Sequence, residues 1–342
     1  MKKRTILILL SVILVCVLCA WCSSRIDQNP ASVLSTEPNE TSTASAINED
    51  AHIDEVVDAY NALVAKYNFD ATAYNESVKV IVEANAVLDR AVATAQVILD
   101  AGDVPFDPQT ATNLTQALQL ALVARMDDPT ELLLKETIGV QEDTTGSEIA
   151  DLCSQINALM EDLRNETVPV PLTIPDYTDV MTGILDAQAA YEKSVKIQEQ
   201  LTAPTDEFVI ERISQIDSIL SFAAVTKFND PNGLLGTEDG YIGCIYFSDR
   251  RVDKEKLNLK PSEYDVITMG TIGGGAIEVY GSADEAARRN EYLASYDNTT
   301  LNPGSHVVVG TLVIRTSSVL TVEQQEELTN DIIAALTELI EE

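Results

Sequence analysis

The chain has 342 residues, enough for one sizeable domain or two smaller ones. It carries 55 Asp and Glu against 22 Lys and Arg, a formal net charge of −33. A surface that acidic excludes nucleic acid and anionic lipid faces as partners, because both need a basic stripe. It leaves a solvated surface protein that repels its own kind, or one with cationic partners or divalent ions.

The first element is a membrane segment. Lys2, Lys3 and Arg4 precede an uncharged run from Thr5 to Cys22. A basic cap before such a run is an insertion signal, and the positive-inside bias puts everything after Cys22 outside the cytoplasm. Residues 1–22 therefore read as an uncleaved anchor that reaches the membrane through residues 5–22. Lipidation at Cys22 or cleavage and release are the alternatives, although Trp21 before Cys22 departs from the small residue that lipidation favours. Residues 23–49 are Ser, Thr, Asn, Pro and Glu with almost no large apolar residue, which predicts a disordered polar linker.

Residues 50–222 read as an elongated antiparallel helical bundle, a stalk. Tyr60-Asn61, Tyr67-Asn68 and Tyr74-Asn75 recur every seven residues, and Ile53, Ile81, Leu88 and Ala95 continue the tyrosine position. Neither Pro nor Gly interrupts 51–101, so one helix of about fifty residues is predicted, with a break near 69–72 as its rival. Asp70 and Ser77 are the weak points of its apolar stripe. Asp107-Pro108 predicts the start of a second helix running to about Met126, and Asp128-Pro129 predicts that helix resumes there. Further helices are predicted from Ile149 to Leu163, from Asp176 to Leu201, and after Pro204-Thr205-Asp206.

Residues 223–342 change character and predict a small domain in the order β-β-α-β-α, with helices on one face of the sheet. The fold class is thus an all-α stalk followed by an α+β head. Strands are predicted at 241–247 and 276–280, with a single central strand from His306 to Arg315. Ser282 caps one helix, and Thr321 with Gln324 forms a capping box for the last.

Chemistry-bearing residues are few. Asp230, Asn232 and Asp239 lie in a turn-rich loop with oxygen ligands of the kind calcium takes, so calcium is the one cofactor weighed. The alternative is turn chemistry alone. His306 follows Ser305, but neighbours on a strand point to opposite faces and do not make a nucleophile–base pair. Gly273-Gly274-Gly275 precedes a strand, which is not the order of a phosphate loop. Glu278, Glu285, Arg288 and Arg289 read as solvated. Cys153 and Cys244 read as separate buried thiols rather than a disulfide.

The Tyr-Asn heptads and ANAVLDRAVATAQVILDAGDVPFDP resemble helical repeat segments of Gram-positive surface proteins labelled extracellular-matrix-binding homologues. NDPNGLLGTEDGYIGCIYFS, GGGAIEVYGSADEAARRNEYLASYDN and SHVVVGTLVIRTSSVLTVEQQ resemble a recurrent C-terminal domain of bacterial surface proteins. The resemblance implies a cell-surface address and, through the label, adhesion; it implies no reaction. The expected function is binding or structural display by a membrane-anchored extracytoplasmic protein with a cell-wall or protein partner. An enzyme acting on wall or host glycans through carboxylates of the C-terminal domain is the alternative.

Overall fold

The computed structural model describes residues 49–140, 146–257, 259–297, 299 and 302–340. The predicted anchor, and the linker up to its last residue, lie outside the described residues. Among the described residues no helix is long and apolar enough to cross a membrane. They form eight helices and one five-stranded antiparallel sheet.

Helix α1 spans Glu49–Asp100 in one piece of 52 residues, a rise of about 78 Å at 1.5 Å per residue. It stops where Gly102 takes φ 74°, a left-handed conformation that glycine adopts without steric cost. The rival break near 69–72 does not occur. Asp70 pairs with Lys66 one turn earlier at 2.7 Å. Ser77 donates to the carbonyl of Tyr74 and accepts the N–H of Leu172. Both polar residues on the stripe therefore have partners.

Helix α2 (Gln109–Ala124) returns along the second half of α1, and α3 (Gly146–Asn165) packs on the first half. Helix α4 (Thr178–Gln200) then packs beside α2. The front core joins Ile53, Val57, Tyr60, Val64 and Tyr67 to Ile149, Ile156 and Met160. The rear core joins Leu88 and Ala95 to Leu114, Leu118, Ile184 and Tyr191. The expected helix after Asp128-Pro129 is not formed. Residues 125–140 form neither helix nor strand, and Arg125 opens that segment in an extended conformation; residues 166–177 likewise carry no helix or strand. The chain thus runs up α1, down α2 and an extended segment, then up α3, a second extended segment and α4.

The head begins earlier than expected. Helix α5 (Asp206–Ile213) and strand β1 (Ile219–Ala224) belong to its core, so the boundary at 222/223 falls inside a strand. The remaining elements are β2 (Gly243–Asp249), α6 (Val266–Met269), β3 (Gly274–Val279), α7 (Ala283–Ala294), β4 (His306–Val309), β5 (Leu312–Thr316) and α8 (Val322–Thr337). The sheet order is β1-β2-β3-β5-β4. The run from His306 to Arg315 is a hairpin rather than one strand, because Gly310 at φ 61° lets the chain reverse.

Helices cover both faces, not one. Ile245, Phe247, Ile277 and Ile314 pack with α5 and α8, whereas Cys244, Tyr246, Ala276 and Val313 pack with α7. Every residue of β2, β3 and β5 is buried, which explains why these strands read as nearly continuous apolar runs. The glycines at the start of β3 serve close packing. A Cβ on Gly274 would meet the main chain of Asp249 and Phe247, and one on Gly275 would meet the carbonyl of Arg315 and the Phe247 ring.

Stalk and head meet in a tight joint. The Leu201 carbonyl at the end of α4 accepts from the N–H and Oγ1 of Thr311, in the β4–β5 turn. Gly310 lies against Leu201 so closely that a Cβ would collide with it. Phe106, from the α1–α2 connection, packs against the head core. The head is therefore fastened at the end of α1 opposite Glu49.

Candidate functional site

The site the sequence marks most strongly is the surface that α1 presents to the first extended segment. At heptad spacing Asn61, Asn68 and Asn75 face one side. Each accepts a main-chain N–H through Oδ1 and donates through Nδ2 to the carbonyl of the same residue. Asn61 holds Ile138 at 2.9 and 2.9 Å. Asn68 holds Lys135 at 2.8 and 2.8 Å, and Asn75 holds Leu132 at 2.8 and 2.8 Å. Seven residues of helix on one side thus answer to three residues of extended chain on the other.

The two periods match in length. From Asn61 to Asn85 the helix rises about 36 Å. From Ile138 to Met126 an extended chain at about 3.1 Å per residue covers about 37 Å. A three-residue turn also returns every third side chain to the helix. Pro129, Leu132, Lys135 and Ile138 are half-buried, and the pairs between them are exposed. The rungs read only main chain, so they set the position of the strap without reading its side chains.

Both tracks change from helix to extended chain at one level, around Asn85, which is fully buried. Its amide donates to the Met126 carbonyl and to Asp128, and its oxygen accepts from Tyr177. The Tyr177 hydroxyl also accepts the N–H of Met126. Arg125 closes the hub by pairing with Asp89 and Asp128. The amide of Asn85, followed by Arg125, holds the Asp128 carboxyl below its usual range. Further along, Lys135 bonds Glu166 at 2.7 Å and lies over the Tyr67 ring, whose hydroxyl donates to Glu166.

In the head, the calcium candidates are differently occupied. Asp230 Oδ1 accepts from Asn232 N and from the Tyr241 hydroxyl, and Oδ2 accepts from the N–H groups of Leu234 and Leu235. Burial works against its charge, but these donors, Tyr241 foremost, outweigh burial and lower the carboxyl's pKa. Four donors match the acceptor capacity of one carboxylate. Asp230 is the internal anchor of its loop rather than a ligand open to a cation. Asn232 donates to Tyr246, and Asp239 is exposed. Among the described residues no three His, Cys, Asp or Glu are grouped to hold a metal ion.

Glu278 overturns its reading as a solvated residue. It is 0% exposed. Oε2 accepts from Tyr280 and Arg289 Nε, and Oε1 accepts from Arg289 Nη2 and Arg315 Nη1, at 2.8–2.9 Å. Burial opposes its charge; the Arg289 bond and both guanidiniums outweigh burial and lower the pKa. Glu285 is half-buried and Arg288 is exposed. The signal was present in the sequence: a lone acid inside AIEVY and a lone base closing HVVVGTLVIR, each in an apolar strand.

His306 sits between Asn290 Oδ1 at 2.7 Å and Asp297 Oδ1 at 3.3 Å, tying β4 to α7. Cys153 belongs to the front core of the stalk and Cys244 to the head, both free and buried. Burial, then Glu278, pushes the Cys244 thiol up, so it is not a poised nucleophile. A concavity of about 170 Å³ lies between Ser305, just before β4, and α8, where Val322, Gln325, Glu326, Thr329 and Asn330 line it. It is smaller than the roughly 300–1,000 Å³ of ordinary small-molecule sites. No family model matches the chain, and no match was found among curated proteins or solved structures.

Proposed function

We propose that this is a membrane-anchored extracytoplasmic protein whose stalk displays the α+β head to a cell-wall or protein partner, by binding rather than catalysis. The observation that carries the reading is the placement of the two ends of α1. The uncharged run at 5–22 and the polar linker precede Glu49, and the head is fastened beyond Asp100, about 78 Å away along the helix. Support also comes from the commitment of Glu278 and Asp230 to structural bonds. The sequence resemblance to Gram-positive surface proteins points the same way.

The test is fractionation of cells expressing the full chain, with protease added to intact cells. Retention in the membrane pellet after alkaline wash, with loss of a C-terminal epitope to external protease, is the expected result. A chain in the soluble fraction, or a head protected until the membrane is opened, overturns it. Mass analysis of the purified N-terminus separates a retained anchor from a lipidated or cleaved one.

A further inference from the structure

We propose that the stalk is a tension-bearing tether, and that the asparagine rungs on α1 set the force at which it yields. The inference rests on the anchored reading for its source of tension, but not for its geometry. Tension between the membrane and a partner on the head enters α1 at Glu49 and leaves through the joint at Leu201. Between those points the chain makes three passes. Separating the ends means sliding α1 past the descending and the ascending tracks along its length.

The bonds that resist this sliding lie across the long axis and are loaded together. On the descending track they are the paired bonds of Asn61, Asn68 and Asn75 and the Asn85 bonds to Met126 and Asp128. On the ascending track they are Tyr67 to Glu166, Leu172 N to Ser77, and Tyr177 to Asn85. At the head end, the Tyr191 hydroxyl donates to the Asp103 carbonyl, and Phe106 N donates to that of Ser194. A force that peels the strap from α1 at one end would break the rungs one after another. The straps also suit the task, because an extended segment has almost no contour length to give before its bonds are strained.

The experiment is single-molecule force spectroscopy on the full chain in detergent, in two geometries. The shear geometry has handles at the N-terminus and at position 319, an exposed loop residue at the end of the sheet away from the joint. The peeling geometry has handles at the N-terminus and at position 137, on the strap beside Asn61. First rupture in shear is expected at about twice the peeling force or more, since forced unfolding follows the barrier along the pulled direction. N61A/N68A/N75A is expected to lower the shear force by about half while leaving the later head event unchanged.

Equal forces in the two geometries, or an unchanged shear force in the triple variant, overturn the proposal. If circular dichroism shows that the triple variant has lost helix, Asn68→Ala alone is pulled: a lowered force supports the tether and an unchanged one overturns it. Failure here leaves the membrane fractionation result standing. A soluble fractionation result leaves the mechanical comparison readable and removes only its source of tension.

Discussion

The stalk and the head use polar groups in opposite ways. In the stalk, neutral amides on α1 bond to main chain, repeat at a fixed interval and lie at the boundary with water. In the head, one buried carboxylate gathers a guanidinium from α7, another from β5 and the phenol of Tyr280 just after β3. The stalk spreads its specificity over rungs that can each fail separately. The head concentrates its own in a cluster whose members depend on one another. Removing a head group should be costly and global, and removing a rung should be modest and local.

The largest effect is expected at Glu278. Glu278→Ala leaves Arg289 and Arg315 with no carboxylate, their side chains only 16% and 11% exposed. Breaking such a pair costs about 3–5 kcal/mol. Chemical denaturation followed by hydrogen exchange of the head strands should show the head unfolding much earlier, with stalk helicity retained. Loss of stalk helix at the same denaturant concentration would show the joint makes one cooperative unit and would break the comparison.

Acid tests the same cluster without mutation. The pKa of Glu278 is lowered in the folded head from an ordinary 4.5. Its contribution is therefore fully present above that unfolded value and is lost as pH falls through the lowered folded one. Head stability measured from pH 6 downward should fall steeply below about 4.5. Glu278→Gln should start lower and fall less. An equal fall in both would assign the acid sensitivity to other carboxylates, with Asp249 and its Arg251 partner next in line.

The stalk supplies the smaller counterpart. Asn68→Ala unpairs both main-chain groups of Lys135. The expected loss is about 1–3 kcal/mol. Hydrogen exchange should quicken at the Lys135 amide while the head strands are unaffected. Leu133→Ser, at a strap position 85% exposed, should change stability by less than about 0.5 kcal/mol. A large effect at Leu133 would mean that the exposed residues of the strap hold it as well as the half-buried Leu132, Lys135 and Ile138.

How much of this was legible in the sequence follows the same division. The long helix was readable because its period repeats and no breaker interrupts it. The caps at Ser282 and Thr321 were readable because they are local. The strap was not. Asp128-Pro129 has the local chemistry of a helix start, and the bonds that override it come from residues 57–77 positions away. The asparagines were visible at heptad spacing, but a period shows a shared face without showing what lies against it. In the head, the hairpin at Gly310 was hidden because the run on either side is equally apolar. The early start of the head was hidden because α5 continues the helical pattern of the stalk. The Asp230 loop looked like a ligand set because its real partners are backbone amides, which composition does not distinguish from open sites.

A small effect of opposite sign is expected at the joint between the two regions. Ala203 has φ 47°, and its N–H donates to Thr311 Oγ1 in the turn that also holds Gly310. A left-handed alanine costs about 1–2 kcal/mol, which glycine does not incur. Against that gain, glycine adds roughly 0.4–1 kcal/mol of unfolded-chain entropy. Ala203→Gly should therefore stabilise the protein by no more than about 1.6 kcal/mol. Gly310→Ala is the opposing control, because its Cβ would meet Leu201 at a positive φ. It should destabilise the joint by more than Ala203→Gly stabilises it. If thermal unfolding shows that pair of signs, the turn holds head to stalk through a fixed backbone shape. A stabilising Gly310→Ala would mean that Leu201 yields, and that the joint adapts where the ladder does not.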